Sequence, residues 1–254
     1  MTENGTQTRT VHVRFDLDTP VIMNNLLHLD ALLAARIATA CDEPPSFREL
    51  RRMVPVERER KSGVFLCSAA FFSGKAPEKR RVCFQQNIWN VAEFDRYAQS
   101  MKNPYFQKDR KDKGYPTNLD EYWSMNLPYL DFLARVPMDG FSLFERLIHE
   151  VDGLGKKTSH GFGQVSNVSF TDYDGHPWVT PGDVRMVSRA VPIRAWMEVN
   201  GVEDVDTVKF MKDYASVSFP YHLDGEPCVV PDGERPLRYR FFASNHYQEE
   251  VAYA

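Results

Sequence analysis

The segment of the 254-residue sequence with the clearest chemical character is residues 153–163, which read GLGKKTSHGFG. Four of the chain's fourteen glycines fall in this segment, around a Lys-Lys-Thr-Ser centre. Glycine allows a positive φ and the close approach of another backbone, and the exposed amides of such loops bind anions. We therefore predict a phosphate-holding loop. Its predicted contact residues are Gly153, Gly155, Lys156, Lys157, Ser159, His160, Gly161 and Gly163.

The order of elements around this loop separates it from the common nucleotide-binding loops. A Walker A loop follows a strand and precedes a helix, whereas here helical periodicity precedes the glycines and strand periodicity follows them. The segment is not a G-x-G-x-x-G motif either, so binding of a nucleoside triphosphate or a dinucleotide is disfavoured. The alternative interpretation is a glycine-rich hairpin turn with solvated lysines.

The elements that must position the loop can be predicted from hydrophobic periodicity. Apolar and polar residues alternate over residues 11–17, which predicts a strand with one buried face. Apolar residues within 29–37 follow helical spacing, and residues 64–72 are typical of a second strand. Ser142 and Glu145 fit a capping box at the start of the helix that leads into the loop. Together these patterns predict an α+β core.

Residues 86–140 are predicted to be an insertion that projects as a thumb from a single domain spanning 11–254, with residues 1–10 as a flexible tail. Weak helical patterning around 91–101 and 119–134 predicts partly helical structure in the thumb. Aromatic rings beside basic side chains suit single-stranded RNA, because rings stack on bases and charges pair with phosphates. The alternative is a solvated thumb that packs on a partner subunit. The candidate RNA-contacting residues here are Lys102, Tyr105, Lys108, Arg110, Lys111 and Lys113.

Composition excludes several classes of protein. The hydrophobic fraction of 43% is too high for a disordered chain, and the four cysteines form neither a C-x-x-C pair nor a zinc-type spacing. We therefore expect reduced thiols and neither a metal nor a cofactor. No apolar run reaches the ~20 residues of a membrane span, and the first ten residues lack a secretory signal, so we expect a soluble, cytoplasmic protein.

The motifs, taken in order, resemble a known family. A helix that runs into G-x-G-K-K-x-S-x-G-x-G and then a strand resembles the signature of the RAMP superfamily of CRISPR-associated proteins. Residues 29–34 (LDALLA) resemble the LDxLLA helix of effector subunits in that superfamily. Residues 54–57 (VPVE) and 219–221 (FPY) resemble the subunit of type IV systems that holds the 5′ handle of the guide RNA. The resemblance spans residues 11–225.

This resemblance implies a ferredoxin-like, RRM-related core of β-α-β-β-α-β order with a protruding thumb and a glycine-rich loop that contacts RNA backbone. The implied role is a non-catalytic RNA-binding subunit that caps the 5′ handle in an effector complex used against foreign DNA. The implied partners are the guide RNA and other effector subunits, including a backbone RAMP subunit. Target DNA is a further candidate partner, and a membrane is not.

A metal-independent endoribonuclease that makes the guide RNA is the alternative function. Some RAMP proteins cleave precursor RNA through attack of a ribose 2′-hydroxyl, with a histidine as general base or acid. The histidines at 12, 28, 149 and 160 are the candidates, and His28 is the best placed because it directly precedes the first predicted helix. No second proton-transfer group accompanies it. We therefore predict that His28 contacts RNA or hydrogen-bonds locally, and that the chain has no catalytic residue.

Overall fold

The computed structural model of the protein describes residues 7–23, 26–74, 77–86, 118–182, 185–199, 208–219, 221 and 225–231. The strands in this part of the chain are β1 (Thr8–Leu17), β2 (Val21–Ile22), β3 (Lys79–Gln86), β4 (Asn118–Met125), β5 (Tyr129–Pro137), β6 (Val165–Asp172), β7 (Val191–Pro192), β8 (Met211–Ala215) and β9 (Glu226–Val230). The α-helices are α1 (Leu29–Ala40), α2 (Phe47–Met53), α3 (Phe141–His149) and α4 (Ile193–Met197). The combination of helices with antiparallel sheets confirms the predicted α+β class.

The central sheet has the strand order β5-β1-β6, and both pairings are antiparallel. The alternation predicted for residues 11–17 is confirmed, because Val11, Val13 and Phe15 are fully buried while the residues between them are partly exposed. The strand begins earlier than predicted. Residues 8–10 pair with 135–137 of β5, so the prediction of a flexible tail up to residue 10 is wrong at its last three residues.

The predicted strand at 64–72 runs beside β5, along the edge that does not pair with β1. It is joined to β5 through isolated β-bridges rather than a continuous ladder. Cys67 is bridged to Ala134, and Phe71 is bridged to Asp131, both antiparallel. Between these bridges the ladder is irregular, since the amide of Leu133 donates to the Ser68 hydroxyl (2.8 Å). The carbonyl of Ser68 instead accepts the amide of Leu29 (3.2 Å) at the start of α1. The segment therefore links the sheet to the first helix.

Helices α1 and α3 supply the apolar residues that cover the core-facing side of the central sheet. Leu29, Leu33 and Ile37 of α1 share one hydrophobic cluster with Phe144 and Ile148 of α3 and with the buried residues of β1 and β5. This confirms the helical periodicity predicted for 29–37. Burial of one such leucine or phenylalanine stabilises the fold by about 1.5–3 kcal/mol.

The capping box predicted for Ser142 and Glu145 is wrong. Helix α3 begins at Phe141, with Gly140 as its N-cap, because a 3-10 turn over Met138–Gly140 already brings the chain into helical geometry. The same S-x-x-E pattern forms a capping box at the start of α2. There the Ser46 hydroxyl accepts the Glu49 amide (3.4 Å), and the Glu49 carboxylate accepts the Ser46 amide (2.8 Å).

The chain divides into two compact units, residues 1–78 with 125–254 and residues 79–124. In the smaller unit, β3 and β4 pair with each other, and the Ser124 hydroxyl donates to the Arg80 carbonyl (3.1 Å). The predicted insertion limits of 86–140 therefore need correction. Residues 129–137 form β5 of the central sheet, and the helical patterning around 119–134 corresponds to strands. The reason is that every second residue of β5 from Leu130 to Val136 is apolar and belongs to the main hydrophobic cluster, which is the period of a strand.

The C-terminal part of the larger unit forms a sheet of order β7-β9-β8. A second hydrophobic cluster, which includes Trp178, Val187, Val191 and Trp196, accompanies it. The indole Nε1 of Trp178 donates to the Phe65 carbonyl (2.9 Å), which satisfies the polar atom of this fully buried ring. None of the helices in the described residues has the length and apolar character needed to cross a membrane.

Candidate nucleic-acid interface

The glycine-rich loop of residues 153–163 lies between α3 and β6, as predicted. Its two ends are closed on each other by the bridge between Gly153 and Gln164 and by the hydrogen bond from the Leu154 amide to the Gly163 carbonyl (2.8 Å). The loop is also fastened to the chain that follows β1. The Lys156 amide donates to the Ile22 carbonyl (2.7 Å), and the Gly163 amide donates to the Pro20 carbonyl. The loop is therefore held at its base on two sides.

Two glycines are required because the backbone approaches itself closely. Gly155 (φ 86°) and Gly163 (φ 63°) both have left-handed backbone. A Cβ at Gly155 would collide with the Ile22 carbonyl oxygen, and one at Gly163 would collide with the Leu154 carbonyl oxygen. Gly161 (φ 84°) has open space around it. The glycines predicted that another backbone comes close to the loop. At residues 155 and 163 that backbone belongs to this chain itself.

The tip of the loop combines left-handed backbone with polar residues, most of which are exposed. Lys157 (φ 61°) is the non-glycine residue with positive φ in the described residues, and a 3-10 turn over Thr158–His160 follows it. A left-handed residue followed by a right-handed turn directs successive N–H groups to the same side, which makes a concave site for anions. Lys156, Ser159 and His160 are exposed, and Lys157 is half-buried. This arrangement can hold a phosphate between backbone amides and an ammonium group.

The remaining predicted site residues do not join the loop tip. Lys102, Tyr105, Lys108, Arg110, Lys111 and Lys113 lie outside the described residues. His28 is buried, with 5% of its surface exposed, and its ring stacks on Tyr221 at a centroid distance of 3.8 Å. Burial, together with the nearby Arg189 charge, lowers the pKa of His28 well below its usual value. His28 is therefore a neutral ring in the core. The prediction that it contacts RNA is wrong.

The motifs at residues 29–34 and 219–221 meet around a fully buried arginine, Arg189, which the sequence reasoning missed. Its Nη1 lies 3.3 Å from Asp30 Oδ1, and its Nη2 donates to the Tyr221 hydroxyl (2.7 Å). The Tyr221 hydroxyl in turn donates to Asp30 Oδ2 (2.5 Å). The three side chains form a closed buried network. The signal that identifies it is one arginine inside the otherwise uncharged stretch 186–192.

The pKa shifts in this buried network follow from its packing. Burial raises the pKa of the Tyr221 hydroxyl well above its usual value, and burial also raises the pKa of the Cys67 thiol. Burial alone would lower the pKa of Arg189, but the facing Tyr221 and Asp30 oxygens outweigh it, so the pKa of Arg189 is raised. The arginine therefore stays charged and the thiol stays protonated. The network is suited to holding the core together rather than to chemistry on a solvent-borne substrate.

His12, another histidine considered for catalysis, belongs to an ion-pair group on the face of the central sheet opposite the helices. Its Nε2 lies 3.0 Å from Asp131 Oδ1. Arg14 donates to both carboxylate oxygens of Asp131, over 2.8 and 3.1 Å, and its guanidinium carbon lies 3.7 Å from the centre of the Tyr129 ring. The Asp131 carboxylate has no exposed surface. Within the described residues, no group of three or more His, Cys, Asp or Glu side chains could hold a metal ion.

No family model matches this sequence, and no curated protein matches it. Among solved structures, the chain is similar to a chain in the cryo-EM structure of the type III-B Cmr-beta bound to cognate target RNA. The identity is 12% and the TM-score is 0.39. The aligned region covers 65% of this chain and 61% of that chain.

Proposed function

We propose that this protein is a non-catalytic RNA-binding subunit of a CRISPR effector complex, in which it caps the 5′ handle of the guide RNA. The observation that carries the proposal is the glycine-rich loop. The loop is held at its base by hydrogen bonds to the carbonyls of Ile22 and Pro20, while Lys156, Ser159 and His160 are exposed. A loop that is fixed at its base and basic at its tip can bind a phosphate with little loss of conformational entropy.

The order of elements supports a ferredoxin-like core for this role. Along the chain the central part reads β1, α1, the bridged segment 64–72, β5, α3 and β6. This order of strands and helices is that of the β-α-β-β-α-β motif, with α2 as an additional helix. The glycine-rich loop then connects the second helix of the motif to its last strand, which is the position implied by the resemblance to RAMP proteins.

The assignment to the 5′ handle, and to a type IV system, rests on the resemblance of the motifs at 54–57 and 219–221, and the motif at 29–34 supports an effector subunit of the superfamily. The partners proposed on the same basis are other effector subunits, including a backbone RAMP subunit, with target DNA as a further candidate. The thumb residues between 102 and 113 are proposed as a second RNA contact, because five basic side chains there accompany Tyr105.

The endoribonuclease alternative requires a proton-transfer group within hydrogen-bond reach of a bound 2′-hydroxyl. His28 does not meet this requirement because it is buried and neutral. His160 is exposed, and its Nδ1 lies 3.2 Å from the Ser159 hydroxyl; we propose that it contacts RNA without transferring a proton. Incubation of the purified protein with repeat RNA in EDTA separates the two functions: uncut RNA supports the binding subunit, and a single cleavage site supports the nuclease.

The proposal is tested by removing the two charges at the loop tip. Lys156→Gln combined with Lys157→Asn removes both, and asparagine tolerates the left-handed backbone of residue 157. For a single-stranded RNA that carries the handle, each lost phosphate contact should reduce the salt-dependence slope by about 0.7, so the variant should lose about 1.4. A matched control, Lys209→Gln with Lys212→Gln, removes the same charge from exposed positions in β8 and just before it. Equal affinity and slope for both variants would contradict the proposal.

A further inference from the structure

A second basic site lies in a groove of about 700 Å³ formed by the end of α2, the segment 54–60 and the turn that follows β5. Its lining includes Val54, Pro55 and Val56, which are buried residues. Four arginines line it, against two carboxylates, in a chain whose net charge is −4. These arginines are Arg51, Arg52, Arg58 and Arg60. We call this feature the arginine groove.

Three of these arginines are available to a ligand. Arg52, Arg58 and Arg60 are exposed, and none of them forms an ion pair with a carboxylate of the described residues. Arg51 differs, because it donates to the Phe219 carbonyl (2.8 Å) and is held in place.

The two carboxylates of the groove offset only part of the arginine charge. Glu59 accepts the amides of Lys61 (3.0 Å) and Ser62 (2.6 Å) and also the Ser62 hydroxyl (2.7 Å). Its carboxylate is thus engaged within its own turn. The other acidic residue of the lining is Asp139. The groove therefore has an excess of positive charge in a concave site, where the field on an approaching anion is strongest.

The arginine groove is separate from the glycine-rich loop. The turn at 137–140 that lines the groove adjoins the start of β1, since Thr8 pairs with Pro137. The loop is fastened to Pro20 and Ile22, beyond the other end of β1. Because a strand rises about 3.4 Å per residue, the two ends of this ten-residue strand are about 30 Å apart. One phosphate group cannot contact both sites.

We propose that the arginine groove binds the phosphate backbone of single-stranded RNA at a point distinct from the glycine-rich loop. Guanidinium groups bind phosphate oxygens in bidentate geometry, and the three exposed ones that line this cleft fit several phosphates of a flexible strand. The groove lining holds four arginines against two carboxylates. This excess suits a strand that carries one phosphate for each nucleotide, because separate guanidinium groups can pair with successive phosphates. This inference rests on the proposed RNA-binding function.

The test compares three variants of the full-length protein in binding a single-stranded RNA of about 24 nucleotides at several salt concentrations. The groove variant carries Arg52→Gln, Arg58→Gln and Arg60→Gln. Its control carries Arg194→Gln, Lys209→Gln and Lys212→Gln, which removes equal charge from exposed positions elsewhere. The third is the loop variant described above. Thermal unfolding checks that each variant folds.

The groove variant is expected to bind more weakly than its control and to lose about 2 from the salt slope, at about 0.7 for each lost phosphate contact. If only the loop variant binds RNA more weakly, and the groove variant binds as its control does, the proposal for the arginine groove is wrong. The proposed function of the protein would still stand. The groove would then be assigned to an acidic protein surface. If the unmodified protein binds no RNA, the proposed function and the groove proposal both fail.

Discussion

The carboxylate of Asp30 on the first helix lies 3.3 Å from the guanidinium of Arg189, and neither side chain has any exposed surface. The two residues are 159 positions apart in the chain. Tyr221 completes the arrangement by accepting from Arg189 and donating to Asp30. The aspartate of the LDALLA motif and the tyrosine of the FPY motif therefore serve the packing of the C-terminal part of the larger unit against α1. Each of these two motifs therefore has a role in the fold that does not require a ligand.

Removal of one member of this pair should be strongly destabilising. Asp30→Ala leaves the Arg189 charge buried without its partner, which typically costs about 3–5 kcal/mol. Urea unfolding should show this loss, whereas Asp42→Ala, at an exposed position, should change stability by less than about 0.5 kcal/mol. The double replacement Asp30→Leu with Arg189→Met should recover only part of the loss, because it removes the unpaired charge but leaves the Tyr221 hydroxyl and the Val217 carbonyl without their partners. Equal stability of the Asp30 and Asp42 variants would show that the pair does not hold the fold.

Two glycines of the loop should respond differently to alanine. Both Gly161→Ala and Gly163→Ala place a side chain on left-handed backbone, at a cost of about 1–2 kcal/mol. Only at Gly163 does the new Cβ collide with a backbone carbonyl. Gly163→Ala should therefore lower the free energy of unfolding by about 1–3 kcal/mol more than Gly161→Ala does. Thermal and urea unfolding of the two variants measure this difference, and equal losses would contradict the close backbone approach.

Asp131 should make stability depend on acid pH. Burial alone would raise the pKa of Asp131, but the contacts from His12 and Arg14 outweigh it, so the pKa is lowered. A carboxyl group with a lowered pKa in the folded state stabilises the protein above its unfolded pKa, about 3.9, and this contribution disappears as the pH falls through the folded value.

Asp131→Asn should therefore reduce stability most above about pH 5, and the difference from the unmodified protein should shrink below about pH 4. Urea unfolding at a series of pH values measures this difference in the free energy of unfolding. Asp42→Asn, at an exposed position, provides the control and should show no such change. A difference that stays constant from neutral to acid pH would rule out the ion-pair group as its source.

His28 should be dispensable for chemistry. His28→Phe keeps an aromatic ring stacked on Tyr221 while it removes every proton-transfer atom. We expect this variant to fold, to bind RNA as the unmodified protein does and to leave guide maturation unchanged in cells. RNA sequencing of the mature guides measures the last point. Metal-independent cleavage by the unmodified protein that is lost in His28→Phe would establish the nuclease instead.

Patterns of neighbouring residues were sufficient to predict the elements whose signals are local. The alternation in β1, the helical spacing in α1 and the glycine cluster before β6 each depend on neighbouring residues, and each is found in the structure. A local pattern was insufficient where the same motif occurs at two helix starts. The S-x-x-E pattern occurs at Ser46 and at Ser142, and the 3-10 turn before α3 decides that only the first forms a capping box.

Contacts between residues far apart in the chain were not predictable in this way. The burial of His28 depends on Tyr221, and the burial of Asp30 depends on Arg189. Such contacts are set by strand register and by the packing of helices on the sheet, and no pattern of adjacent residues encodes them. The arginine groove is a further case, because the turn after β5 closes a cleft beside arginines from two other segments. The sequence contained these charges, but the long-range packing of the chain placed them together.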